Sequence, residues 1–246
     1  MEYKYGSDKM EYLFDLHTHS LASGHGYSTI REMAYAAKQK GLQILGITEH
    51  GLAMPGTCQD FYFTNLKVVP RMMCGVRLLL GVEANIMDYS GALDMPEEYL
   101  KQMDLVIASL HVPCLKPGTR EQNTQAYIGA MKNPYVNVIG HPDDRRYPVD
   151  YEQLVLAARD HHVLLECNNG SLSPNGARKD SWAQDAEMLS YCEKYNVPVV
   201  VDSDAHIDEL VGNVELICQK LEEIRFPKRL IINSSVETLY TYLKKR

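Results

Sequence analysis

Strand-length apolar, β-branched runs alternate along this chain with stretches that have helical spacing and helical ends, and that alternation leaves few folds open. The runs are Glu11–Leu16, Gln43–Thr48, Arg77–Glu83, Asp104–Ser109, Asn137–Gly140, Val163–Cys167 and Val197–Asp202. Most are hydrophobic almost without interruption, the pattern of parallel strands covered on both faces. Between them, Thr29-x-x-Glu32 is a capping box opening a stripe of Ile30, Met33, Ala34 and Ala37 that stops at Gly41. Pro96 suits the first turn of a helix ending near Met103, and Asp150 with Gln153 opens another through about His161. Further helices are predicted over 180–195 and 208–223, and Ser234-x-x-Glu237 caps a terminal one. Strand followed by helix, repeated about seven times, implies a parallel sheet with right-handed crossovers. The expected fold is therefore α/β: a somewhat irregular seven-stranded (β/α) barrel, one domain over residues 1–246, with residues 1–10 a flexible tail. An open doubly wound sheet ranks second, because no glycine-rich phosphate loop follows any strand.

Composition narrows the setting. A chain of 246 residues with 45% hydrophobic and 23% charged residues can bury a large core. Its apolar runs fall well short of the ~20 residues that span a bilayer. The polar amino terminus lacks the apolar stretch of a signal peptide. A cytoplasmic address and no membrane partner are expected. The six cysteines are scattered with no C-x-x-C pair, which fits reduced thiols. A net charge of −7 argues against a nucleic-acid surface. A homo-oligomer is left open.

Chemistry enters where the strands end, because the site of a parallel barrel lies beyond the carboxyl ends of its strands. Here those ends read Asp15-Leu16-His17-Thr18-His19, Glu49-His50, Glu83, His111, His141, Glu166 and Asp204-Ala205-His206. Every run terminates in a side chain able to bind a metal. Seven of the nine histidines lie there or, for His25, in the loop just after the first strand; His161 and His162 instead precede a strand, on the opposite rim. Side chains two apart on a strand point the same way, so His17 and His19 form one pair and Asp204 and His206 another. Imidazole and carboxylate suit zinc, and also manganese or iron. Glu83, the sole carboxylate at its strand end, is the candidate to bridge two ions. Glu49, Asp202 and Asp15 are expected to orient ligating imidazoles rather than to ligate.

At these residues the sequence resembles the PHP (polymerase and histidinol phosphatase) superfamily, and within it the small YcdX-like phosphatases. The resemblance runs from Phe14 to about Gly212, through FDLHTHSLASGHGYSTIREM, KGLQILGITEHG, GVEANI, ASLHVP, NTQAYI, VIGHPDD, LECNNGSL and DSDAH. It implies a distorted seven-stranded, TIM-like barrel holding three divalent metal ions, zinc in the first instance. Carried over, it places His17, His19, Glu83 and Asp204 on one ion, Glu83, His111 and His141 on a second, and His25, His50 and His206 on the third. All nine positions carry a suitable ligand. Glu49 departs from the aspartate expected in many relatives.

The activity expected is metal-dependent hydrolysis of phosphate monoesters, with a hydroxide bridging the ions as nucleophile and Glu83, Asp204 and His206 as catalytic residues. Paired ions lower the pKa of bound water and stabilise both oxygens of an in-line displacement. No G-x-S-x-G elbow or cysteine motif offers another nucleophile. Arg178 and Lys179, with Asn168 of the loop before them, are expected to bind the phosphate of a small phosphorylated substrate, with Arg145 and Arg146 as weaker candidates. Two other readings compete: an exonuclease-like phosphodiesterase, which would want a basic track with stacking aromatics, and a non-catalytic metal-binding module, which should have lost ligands. An amidohydrolase would place a lysine at a middle strand end, where this chain has Glu83 and His111.

Overall fold

The computed structural model describes residues 10–174, 176, 178 and 180–243. Most of the expected amino-terminal tail lies outside the described residues; Met10, at its end, packs against the core.

Seven parallel strands form a nearly closed barrel. They are β1 (Phe14–Asp15), β2 (Ile44–His50), β4 (Val76–Asn85), β5 (Leu105–Ser109), β6 (Val138–Ile139), β7 (Leu164–Asn168) and β8 (Val199–Asp202), each hydrogen-bonded to the next in that order. All seven expected strands are present. An eighth, β3 (Met72–Met73), was not expected; it pairs antiparallel with the start of β4 through a two-residue turn, Cys74 and Gly75. Both turn residues have positive φ, 54° and 85°, the geometry that lets a tight hairpin follow strand twist. Cysteine is not a residue that announces such a turn.

Alternation along the strands builds two cores. Leu45 and Ile47, Leu78 and Leu80, Val106 and Ala108, and Leu165 and Cys167 face the surrounding helices. Phe14, Ile44, Leu79, Leu105, Val138, Leu164 and Val200 point inward and fill the lower barrel. The same parity continues upward: Ile44 leads to His50, Leu79 to Glu83 and Asn85, Leu105 to His111, Leu164 to Glu166, and Val200 to Asp204. One face of each of these strands thus carries both the plug and the site. Gly46 lies between the two levels, where a Cβ would stand 2.0 Å from the Leu16 carbonyl oxygen.

The barrel closes irregularly. Between β8 and β1 the only ladder contact among the described residues is the parallel bridge Thr18–Ala205. Below it, the Asn233 side chain replaces strand pairing: its amide donates to the carbonyls of Phe14 (3.1 Å) and Val201 (2.7 Å) and accepts from the Val201 N–H (2.8 Å). Asp202 accepts from the Leu16 N–H at 2.6 Å, and Asp15 accepts from Ser203 and from the Gly212 N–H. These two aspartates therefore stitch the seam, and among the described residues neither is hydrogen-bonded to an imidazole, a correction to the orienting role expected of them.

The helices are α1 (Ile30–Gln39), α2 (Asp60–Asn65), α3 (Glu97–Leu100), α4 (Arg120–Met131), α5 (Tyr151–His161), α6 (Trp182–Tyr195), α7 (Glu215–Glu223) and α8 (Val236–Tyr242). The Thr29–Glu32 capping box and the Asp150 cap form as expected. The stretch 208–223 is not one helix; it breaks into a 3-10 turn (Asp208–Leu210) and α7, because Gly212 takes φ 67° and gives its N–H to Asp15. The terminal helix is capped by Ser235, not Ser234. Helices α2 and α4 were not expected, although Thr119 and Gln122 form a full capping box for α4. Leu239 of α8 and Ile232 close the lower barrel. Among the described residues no helix is long and apolar enough to cross a membrane, and none of the six cysteines is joined in a disulfide.

Candidate metal centre

The strand ends bring the predicted side chains to one rim, by continued strand parity for His50, Glu83, His111, Asp204 and His206 and by a change of parity beyond Leu16 and Val138 for His17, His19 and His141. His17, His19, His50, Glu83, His111 and His141 are buried, Glu83 completely, and His206 is partly exposed at the mouth. His25 is half-exposed in its loop, with Nε2 3.2 Å from Nε2 of His50. Asp204 and His141 both sit at positive φ, 56° and 28°. Strained backbone of this kind persists only where surroundings enforce it, and it clusters at functional sites.

Glu83 is the hub. Its Oε2 lies 3.4 Å from His17 Nε2, 3.5 Å from His19 Nε2 and 2.7 Å from His50 Nδ1. Its Oε1 lies 2.8 Å from His141 Nε2 and 3.2 Å from His111 Nε2. Asp204 Oδ1 stands 3.3 Å from His19 Nε2 and 3.7 Å from His17 Nε2. Three groups have ligand atoms mutually within 4.8 Å: His17–His19–Glu83, His50–Glu83–His111 and His19–His50–His206.

The imidazoles are held with their ligating nitrogens free. His17 Nδ1 meets Glu166 Oε1 at 2.7 Å. Ser23 gives its one hydroxyl proton to Glu49 (2.6 Å), so it can only accept from His19 Nδ1–H at 3.0 Å. Asn85 donates its amide N–H to Asp94, which turns its oxygen toward His111 Nδ1 at 2.7 Å. His206 Nδ1 donates to the Asp204 carbonyl at 2.9 Å. Each bond assigns the proton to Nδ1 and leaves the Nε2 lone pair for a cation, the arrangement typical of ligating histidines. Glu49 thus acts on His19 through Ser23, while Glu166, expected only as a metal-capable strand end, and Asn85, not expected, hold two rings directly. Asn85 was discoverable: it lies two residues beyond Glu83 on the same strand face.

What is left over fits a cation. His17 Nε2, His19 Nε2, His50 Nδ1 and Glu83 Oε2 are buried with no hydrogen-bond partner, although the last two are 2.7 Å apart. Unsatisfied buried polar atoms are costly, and such a set facing inward is the signature of ligand atoms. Charge agrees. Burial pushes Glu83 up, but His111, His17 and His50 outweigh it and hold the carboxyl well below its usual range. Burial likewise opposes ionisation of Asp204, yet His17 and Arg178 keep it low. Burial, with His50 and His206, holds His19 well below the ordinary imidazole value, so it is neutral and able to ligate. His17 goes the other way: burial lowers it, but Glu166, Glu83 and Asp204 raise it well above that value. The carboxylates here exceed the cations, which is the imbalance a metal ion removes.

Above the cluster opens a cavity of about 590 Å³, lined among others by His25, Glu83, His206, Arg146 and Arg178. Arg178 donates to Ser171 Oγ at 2.9 Å and pairs with Asp204 Oδ2. Asn168 does not line the cavity; its amide is used on Glu166, Asp204 and the Ser171 N–H, which fixes the loop beneath Arg178. Arg145 points away, half-exposed and 3.8 Å from Asp180, and its neighbour Arg146 takes the cavity position, clamped by Asp144 through Nε (2.9 Å) and Nη2 (2.6 Å). Lys179 lies outside the described residues.

Comparison with known proteins places this arrangement in context. The model of the PHP domain matches residues 15–226. A protein of Clostridium novyi (strain NT) named "Probable phosphatase" is 45% identical over 96% of both chains. A protein of the same name from Acetivibrio thermocellus is 45% identical over 96% of this chain and 97% of its own. Among solved structures, histidinol phosphate phosphatase from Lactococcus lactis, complexed with zinc, L-histidinol and phosphate, aligns with TM-score 0.56 at 16% identity over 87% of this chain and 92% of that one. A chain of archaeal ribonuclease P with mature tRNA aligns with TM-score 0.55 at 15% identity, covering 93% and 89%. One barrel thus serves different tasks, so function has to be argued from the site.

Proposed function

Because the chain belongs to the PHP domain family, we propose that it is a metal-dependent phosphoesterase that hydrolyses small phosphate monoesters. The observation carrying this reading is the set of inward-facing orphan atoms of His17, His19, His50 and Glu83 directly beneath a cavity bearing two guanidinium groups. His17, His19, Glu83 and Asp204 would hold one divalent ion, Glu83, His111 and His141 a second, and His25, His50 and His206 a third. Zinc suits this nitrogen-rich donor set, and the same ligands accept manganese or iron. Bound ions supply Lewis acidity and a water acidified to a pKa of about 7.

The chain's own groups do the remainder. Arg178, oriented by Ser171 and Asp204, and Arg146, oriented by Asp144, present N–H donors to phosphate oxygens. Nη1 of Arg146 takes no part in the clamp, so its N–H groups are left for substrate. Glu83 and Asp204 remain ionised through the groups around them, and His206 at the mouth keeps Nε2 free through its bond to the Asp204 carbonyl.

Zinc-loaded protein is tested on p-nitrophenyl phosphate, bis(p-nitrophenyl) phosphate and single-stranded DNA. Preference for the monoester, abolished by a chelator and restored by zinc, is expected. Preference for the diester or the DNA would replace this reading with a phosphodiesterase.

A further inference from the structure

The cavity is uneven around its rim. In strand order, the loops after β6 and β7 contribute Arg146 and Arg178, whereas the loops after β1, β2 and β5 contribute Tyr27, Met54, Val112 and Pro113. The barrel therefore separates a cationic sector from an apolar one, with the ligand cluster as their common floor.

The apolar sector is poor in hydrogen-bonding groups. Apart from the Tyr27 hydroxyl and the weakly accepting Met54 sulfur, these four side chains offer neither donor nor acceptor. The Tyr27 N–H is given to the His206 carbonyl at 2.7 Å, the Met54 N–H to the Gly51 carbonyl at 3.2 Å, and Pro113 has none. Tyr27 and Val112 are 72% and 37% exposed, so their outward placement at the mouth is not required by the core. Hydroxyl groups pressed against such a wall would lose water without replacement, which is unfavourable, whereas an apolar ring would gain from the contact.

We infer that this cavity selects phosphate monoesters of apolar, ring-bearing alcohols over those of polyols and sugars, with Tyr27, Met54 and Val112 setting the preference. The inference rests on the phosphatase reading in one respect: it assigns the phosphate to the Arg146 and Arg178 side, which directs the alcohol to the opposite wall.

The test uses zinc-loaded full-length protein and two matched pairs. Phenethyl phosphate and glycerol 3-phosphate, both esters of aliphatic alcohols, are compared by kcat/KM. Phenethylphosphonate and 2,3-dihydroxypropylphosphonate, which cannot be hydrolysed, are compared by titration calorimetry. The ring-bearing member is expected to be favoured about tenfold or more in each pair, the scale on which apolar pockets discriminate. In Tyr27→Ser and Val112→Ser both ratios should fall toward one; because each ratio is internal to one protein sample, partial misfolding does not mimic this result. Equal treatment of the two members, or ratios that persist in both variants, would overturn the inference and leave the phosphatase reading standing. Preferential binding of phenethylphosphonate with no turnover of either ester would support the divided cavity and remove the phosphatase reading.

Discussion

The two ends of this barrel are built by the same strands and follow opposite rules. At the lower end, Phe14, Ile44, Leu79, Leu105, Val138, Leu164 and Val200 meet with Leu239 of α8 in a dry plug. At the upper end, residues of the same strands and the turns just after them are buried but polar, and several of their atoms, among them His17 Nε2, His19 Nε2, His50 Nδ1 and Glu83 Oε2, lack hydrogen-bond partners. The plug leaves no polar atom to satisfy; the rim presents clustered histidine and carboxylate atoms able to hold a metal ion. Burial therefore has a different meaning at each end. Below, it is the source of stability; above, it is a desolvation cost that lowers His19 and His111 but is outweighed at His17 by the carboxylates around it.

That contrast can be broken from the top first. Glu83→Ala removes the one side chain common to both pairs of imidazoles, and turnover of p-nitrophenyl phosphate should fall by about 10³-fold or more, on the scale of losing a principal electrostatic group. Metal content by elemental analysis should fall with it while the far-ultraviolet circular dichroism is retained. Full activity in this variant would contradict the hub assignment. At the other end, Phe14→Ala should cost about 3–5 kcal/mol of stability in denaturant unfolding, since it empties a packed position. Metal stoichiometry in the surviving folded fraction should be unaltered; a matching loss of metal would show that the two ends are not separable.

Two smaller effects sharpen the comparison. Zinc at about 100 times its dissociation constant should stabilise the protein by about 2.7 kcal/mol over chelator-treated protein, raising the midpoint of thermal unfolding. An unchanged midpoint would mean that the rim gains nothing from a cation. Ser23→Ala deprives His19 Nδ1 of its acceptor and Glu49 of a donor. Metal affinity, measured by competition with a chromophoric chelator, should weaken about 10- to 100-fold, as when a group orienting a ligand is lost. A value equal to that of the unsubstituted protein would assign the network to packing alone.

Much of this was legible in the residues themselves. Seven apolar runs mark seven strands because parallel strands covered on both faces must be apolar throughout. The candidate ligands were visible because the carboxyl ends of the strands of a parallel barrel converge on one rim. The missed elements have specific causes. Hairpin β3 depends on positive φ at Cys74, which cysteine does not signal. Helix α4 carries the capping pair Thr119 and Gln122, a local signal of its start, but its apolar residues form no clear one-sided stripe. The break before α7 arises from a long-range bond, Gly212 to Asp15, that local pattern does not reveal.

The site divides along the same line. Residue type and strand parity determined which side chains reach the rim, since a two-residue period and the direction of the chain are local properties. Tertiary structure decided which nitrogen of each ring carries the proton, that Arg146 and not Arg145 lines the cavity, and that Asp15 and Asp202 close a seam. Those outcomes depend on partners as distant in sequence as Glu166 from His17 or Ser203 from Asp15. Hydrogen bonds act over about 3 Å in space whatever the separation along the chain, so only the folded barrel can assign them.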